Sequence, residues 1–151
     1  MTLIPAVRSR LSAQCLANRI RKGRCSLNLD GAPGNRLIVD LDREGGPMGS
    51  HERRCDYLFF AEAGSAKRWA APIELKSRTF QSTDVEAQLQ AGARTIESLV
   101  PARTTVHFVP IVAGTCHKAE RKRLGLRTLV FRGTRTRIKL RPCNSRLVEA
   151  L

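Results

Sequence analysis

The chain has 151 residues, 42% hydrophobic and 26% charged, which suits one domain around one core and excludes a disordered chain. No apolar run approaches the ~20 residues of a membrane-spanning helix. The net charge of +14 favours an anionic partner, of which nucleic acid is the usual one, over a solvated basic surface without a ligand.

In chain order, residues 5–22 read as a helix, with Leu11, Cys15 or Leu16, and Ile20 at helical spacing, basic residues in the last turn and Gly23 to end it. Cys25–Leu29 reads as a short strand. The turn cluster Asp30 to Asn35 precedes a strand from Arg36 to Asp42, and a Gly-rich loop runs on through His51 to Arg54. Strands at 55–61 and 69–76, joined by a short polar turn, make a hairpin. A helix follows from Thr83-Asp84 to about Leu99, with Thr83 to Glu86 as a capping box and Val85, Leu89, Gly92, Ile96 and Leu99 as its apolar face. Residues 105–112 form an apolar central strand, 117–124 a short basic helix, and 127–131 with 137–141 a C-terminal β-hairpin.

Chemistry concentrates on the strand Ile73-Glu74-Leu75-Lys76. Alternation puts Glu74 and Lys76 on one face, and burying ionisable groups is costly unless they are paired or bind a metal. Phosphodiester hydrolysis needs charge stabilised on phosphate oxygens and a hydroxide near neutral pH. Magnesium, or manganese in its place, supplies both and takes oxygen ligands from one or two carboxylates. Asp56 and Glu74 are the expected ligands, the Leu75 carbonyl a third, and Lys76 the group that orients or deprotonates water. Lys76 is the sole lysine between residues 68 and 117 of a chain with 21 Arg and 6 Lys. The alternative is a Glu74–Lys76 ion pair on a half-exposed sheet face. Asp40 and Asp42 are either a second acidic pair or a solvated strand end. His51 is either a phosphate contact or a solvated loop residue. Lys118, Arg121, Lys122 and Arg123 form the expected nucleic-acid backbone clamp.

Cys55-Asp56, Glu74-Leu75-Lys76 and Gln88 on the following helix resemble the motifs of the PD-(D/E)xK nuclease superfamily, over about residues 36–113. The run is similar to uncharacterised small bacterial members. The resemblance implies an α/β, restriction-endonuclease-like fold, with a central four-stranded mixed sheet and a helix on either side, to which the C-terminal hairpin is an addition. It also implies magnesium-dependent cleavage of DNA or RNA, with Gln88 near the reacting groups. Cys55 stands where the family has proline, and the first helix lacks the carboxylate many members carry. Asp40, Asp42 or Glu86 are the candidates to replace it. A non-catalytic nucleic-acid-binding or protein-interaction module with the same fold is the rival reading. A homodimer is compatible, since cutting two strands needs two sites.

The five cysteines are odd in number and include no Cys-x-x-Cys pair, which argues against a zinc site or disulfide framework and for small core residues in a reducing compartment. Cys116 and His117 are adjacent, so on a strand they point apart and do not make a nucleophile pair. The N-terminus lacks the order of a signal peptide. The expected location is therefore cytoplasmic.

Overall fold

The N-terminal segment does not form the long helix its spacing suggests. α1 covers only Leu3–Arg8. Ser12 then caps a 3-10 turn at Ala13–Cys15 by accepting from the Gln14 N–H, a local bond that competes with helix continuation. The rest of the segment goes to strands: β1 (Leu16–Ala17), β2 (Ile20–Lys22) and β3 (Cys25–Asn28), the last two an antiparallel hairpin. Tertiary pairing has overridden a weak helical period. The computed structural model describes residues 2–43, 45–47 and 54–151, so His51 and most of the Gly-rich loop lie outside the described residues.

The centre is a mixed sheet. β4 (Arg36–Asp40), β5 (Tyr57–Ala63) and β6 (Lys67–Leu75) form an antiparallel meander, with Tyr57 opposite Ile73 and Asp40 opposite Tyr57. After α2 (Ser82–Leu99) the chain returns parallel to β6 as β7 (His107–Phe108) and β8 (Ile111–Ala113). These replace the single strand expected at 105–112. Pro110 sits in the break, and it has no N–H to give a ladder. α3 (Lys118–Leu126) and a hairpin, β9 (Thr128–Phe131) with β10 (Thr134–Arg137), precede β11 (Lys139–Arg141). The hairpin is therefore tighter than expected. Arg132 and Gly133 both have positive φ, of 50° and 77°, as a two-residue turn between twisted strands requires. Residues 139–141 leave it to pair with β8. The main sheet runs β1-β4-β5-β6-β8-β11, with β7 also on β6, seven strands in all. The four expected strands are its contiguous middle.

The sheet separates two cores. α1 and α2 contribute to the same one, with Leu58, Phe60 and Ala70 beneath them. Among the described residues the expected helix does not lie on the other face. That face, with Phe59, Ala71 and Ile73, is covered by β2, β3, β12 (Ser145–Arg146) and the C-terminal 3-10 turn Leu147–Ala150. α1 is tied down by Glu62 at the far end of β5, whose carboxylate accepts from the N–H groups of Leu3 and Ile4 at 3.0 and 3.1 Å.

α2 buries the face read from its spacing, but its capping differs. It begins at Ser82, after Gln81, whose side chain makes no cap bond. The Ser82 N–H donates to Glu120 of α3 at 2.9 Å, so a tertiary carboxylate does the work expected of Thr83 and Glu86. At Gly92 the helix touches the sheet: a Cβ there would stand 2.6 Å from Cys55 Sγ and 2.8 Å from Pro72 Cβ.

Cys25 and Cys143 form a disulfide across 118 residues, a correction to the reading of all five cysteines as thiols. Neither count nor spacing reveals a pair this distant. Cys15, Cys55 and Cys116 are free and buried. With the bond, the cysteine argument for a reducing compartment lapses. Among the described residues no helix is long and apolar enough to cross a membrane.

Gly92→Ala should destabilise the protein by about 1–2 kcal/mol in urea unfolding, because overpacking against Cys55 and Pro72 outweighs the helix preference for alanine. Thiol titration of the denatured, unreduced protein should find the three free cysteines. Cys143→Ser should lower stability by roughly 2–4 kcal/mol.

Candidate active site

Asp56 stands one residue before β5, in line with the ladder: its N–H donates to Ile73 O at 3.0 Å and its carbonyl accepts from the Leu41 N–H at 3.1 Å. Its carboxylate is almost wholly buried. Oδ2 accepts from the Leu75 N–H at 2.8 Å, and Oδ1 lies 2.6 Å from Lys22 Nζ. Leu75 is thus fixed to Asp56 through its N–H, on the same peptide stretch whose carbonyl is the third expected ligand.

Glu74, the penultimate residue of β6, is 1% exposed. Its Oε2 is 3.0 Å from Lys76 Nζ, while its Oε1 is buried without a hydrogen-bond partner. Glu74 and Lys76 do share a face, but the carboxylate is in the core rather than on a half-exposed surface. Burial first, and then the Asp56 carboxylate within hydrogen-bonding reach, raise the Glu74 carboxyl from an ordinary 4.5 to about 8; Lys76 opposes them. Two like charges out of water cannot both be ionised cheaply, so one holds a proton or a cation joins them. Lys76 follows β6 directly, held by its N–H to Ala113 O at 2.8 Å. Gly114 packs behind it, where a Cβ would meet Lys76 O at 2.8 Å.

α2 brings Gln88 to the same place. A cleft of about 240 Å³ is lined by Arg54, Lys76, Asp84 and Gln88, and Gln88 Oε1 is buried and unpartnered. A second cleft of about 410 Å³ also reaches Lys76, and Lys22, Gly23, Arg78, Gln81 and Asp84 line it too. Asp84 borders both clefts, one helical turn before Gln88. That i,i+4 spacing was a signal available in the sequence. Lys22 carried no such signal, because its segment read as helix.

The acids considered as replacements for a first-helix carboxylate do not join the pair. Glu86 is bonded to Arg127, Asp40 to Arg43 and Asp42 to Arg54. Among the described residues no three His, Cys, Asp or Glu side chains converge as a metal cluster, so the side chains of the arrangement offer two carboxylates, and a third protein ligand would have to be a backbone carbonyl. On α3, Lys118, Arg121, Lys122 and Arg123 are exposed, but Arg123 is held by Glu120 at 2.6 Å. Glu120 is in turn held well below its usual range, to about 2, chiefly by the Ser82 N–H and hydroxyl. α3 is thereby docked on the α2 N-terminus beside the clefts. Tyr57, Phe59 and Phe60 are buried packing residues, as their sequence context indicates. Compared with family models, curated proteins and solved structures, the chain matches none of them.

The folded protein keeps a proton on Glu74 where the unfolded chain has lost it. The associated stability is fully present below pH 4.5 and is lost as pH rises through about 8. In chelator, thermal stability of the parent should therefore decline across that window, and Glu74→Gln should flatten the decline. An equal slope in both proteins would show that Glu74 is not the group responsible.

Proposed function

We propose that the protein is a magnesium-dependent nuclease of the PD-(D/E)xK class, with a restriction-endonuclease-like core in β4, β5, β6, α2 and β8. The observation that carries this reading is the buried carboxylate pair Asp56–Glu74, with an unpartnered Glu74 Oε1 and a lysine on its other oxygen. A hard divalent cation fits these donors. It would be held by Asp56, Glu74 and the Leu75 carbonyl, with water completing the shell, and would supply charge stabilisation at phosphate and a more acidic water. Manganese would serve in its place.

The chain's own residues supply the rest. Lys76, a quarter exposed and tethered to Glu74, faces the clefts and is placed to orient the attacking water or neutralise phosphate. Gln88 Oε1 is an acceptor without a donor, suited to a water or to a base amino group. Lys118, Arg121 and Lys122 present charge to a DNA or RNA backbone next to the cleft. One observation favours a non-catalytic nucleic-acid binder instead: Lys22 already neutralises Asp56.

Incubation with single- and double-stranded DNA and with RNA, in Mg²⁺, Mn²⁺ or chelator, tests the reading. Cleavage of at least one substrate is expected, absent in chelator, and reduced at least about a hundredfold by Glu74→Ala or Lys76→Ala. Cutting that survives both substitutions removes the site assignment. Binding in chelator without cutting by the parent under any condition establishes the binder. Lys122→Ala should reduce the salt slope of nucleic-acid affinity by about one unit.

A further inference from the structure

Both Asp56 oxygens are engaged, Oδ2 by the Leu75 N–H and Oδ1 by Lys22 Nζ. Lys22 ends β2 at the tip of the β2–β3 hairpin, where it pairs with Cys25. The hairpin backbone is held firmly. Tyr57 Oη donates to Arg21 O at 2.7 Å, and Cys25 is bonded to Cys143. The Lys22 side chain is not held in the same way: it is 57% exposed, against 6% for Asp56. Rotation of its own bonds takes Nζ off Asp56 without moving the strand. The space beside it is the 410 Å³ cleft shared with Lys76 and Arg78.

An ammonium and a divalent cation cannot share one carboxylate oxygen without strong repulsion at contact distance. Resting on the metal pair of the nuclease reading, we infer that Lys22 competes with the divalent cation for Asp56 and, when displaced, turns its ammonium onto the phosphate entering the same cleft. Metal and polyanion then assist each other, since each favours the conformation in which Lys22 has left Asp56. Lys22 in this role is built in as the metal-free counter-charge of Asp56.

A contact closed about nine-tenths of the time raises an apparent dissociation constant about tenfold. Mn²⁺ binding without nucleic acid, read from the free-ion electron paramagnetic resonance signal, should therefore be about tenfold tighter in Lys22→Ala than in the parent. Lys22→Gln should behave like Lys22→Ala, Lys22→Arg like the parent, and Asp56→Asn should bind more weakly than all of them. The Mn²⁺-induced rise in Tm should follow the same order. Lys22→Ala affinity equal to or below the parent's overturns the competition. In saturating Mn²⁺, with Lys76→Ala as the background that prevents cutting, adding Lys22→Ala should lower the salt slope for a single-stranded oligothymidylate by about 0.7, and an unchanged slope overturns the phosphate contact. Tighter Mn²⁺ binding by Lys22→Ala with no cutting of any substrate supports the competition and counts against the nuclease. Cutting by a Lys22→Ala protein whose Mn²⁺ affinity equals the parent's does the reverse.

Discussion

Two carboxylates buried side by side at the ends of adjacent strands need positive charge or protons, and much of the molecule is arranged to provide them. The β5–β6 pairing of Tyr57 with Ile73 brings Asp56 level with Glu74. A one-residue slip would turn every side chain of the strand to the other face. Asp56 then receives a backbone N–H from Leu75 and an ammonium from Lys22, and Glu74 receives one ammonium from Lys76. The balance is unequal: Asp56 is satisfied at both oxygens, while Glu74 keeps Oε1 bare. Burial first, and then the Asp56 carboxylate beside it, push the Glu74 carboxyl upward.

The basic residues divide their work by type. Several arginines are consumed by structure. Arg10 donates to the Ser98 and Leu99 carbonyls at the α2 C-terminus, and Arg132 to those of Val100 and Pro101 just beyond it, where cations suit the helix dipole. Arg127 holds Glu86 and the Ser82 hydroxyl, and Arg141 and Arg146 hold Glu149. The planar guanidinium suits such multiple bonds. The carboxylates of Asp56 and Glu74 are instead met by lysines, compact charges on flexible stems, whereas the buried Glu62 has Arg68 beside it at 3.7 Å. The net charge of +14 already subtracts the charges paired with carboxylates, so that excess rests on other basic side chains, the exposed Lys118, Arg121 and Lys122 among them.

The local patterns that could be read were those fixed by periodicity: the β5–β6 hairpin, the apolar face of α2, and Glu74 with Lys76 on one side of a strand. What could not be read depended on partners far away in the chain. Leu16 and Ala17 pair with β4, and the β2–β3 hairpin is extended by β12 from the end of the chain, so a segment with helical spacing became strands. Ser82 takes its cap from Glu120, and Cys25 finds Cys143. Lys22 belongs to this class. Nothing near it in sequence marks it as a partner of Asp56, 34 residues on.

The missing helix on the second sheet face explains why Lys22 arrives at all. A two-stranded hairpin is marginal by itself in water. Here β2 and β3 gain β12 as a third strand, the apolar contacts of Ile20, Cys25 and Leu27 with the sheet, and the disulfide to the C-terminal segment. Those supports hold the hairpin tip against the end of β5, close enough for Tyr57 to bond Arg21 and for Lys22 to reach Asp56. A helix covering the same face would bury its side chains against the sheet centre and end elsewhere. The strand layer instead ends in a turn at the carboxylates, so the element that completes the second core also delivers the charge that the first pair of acids requires.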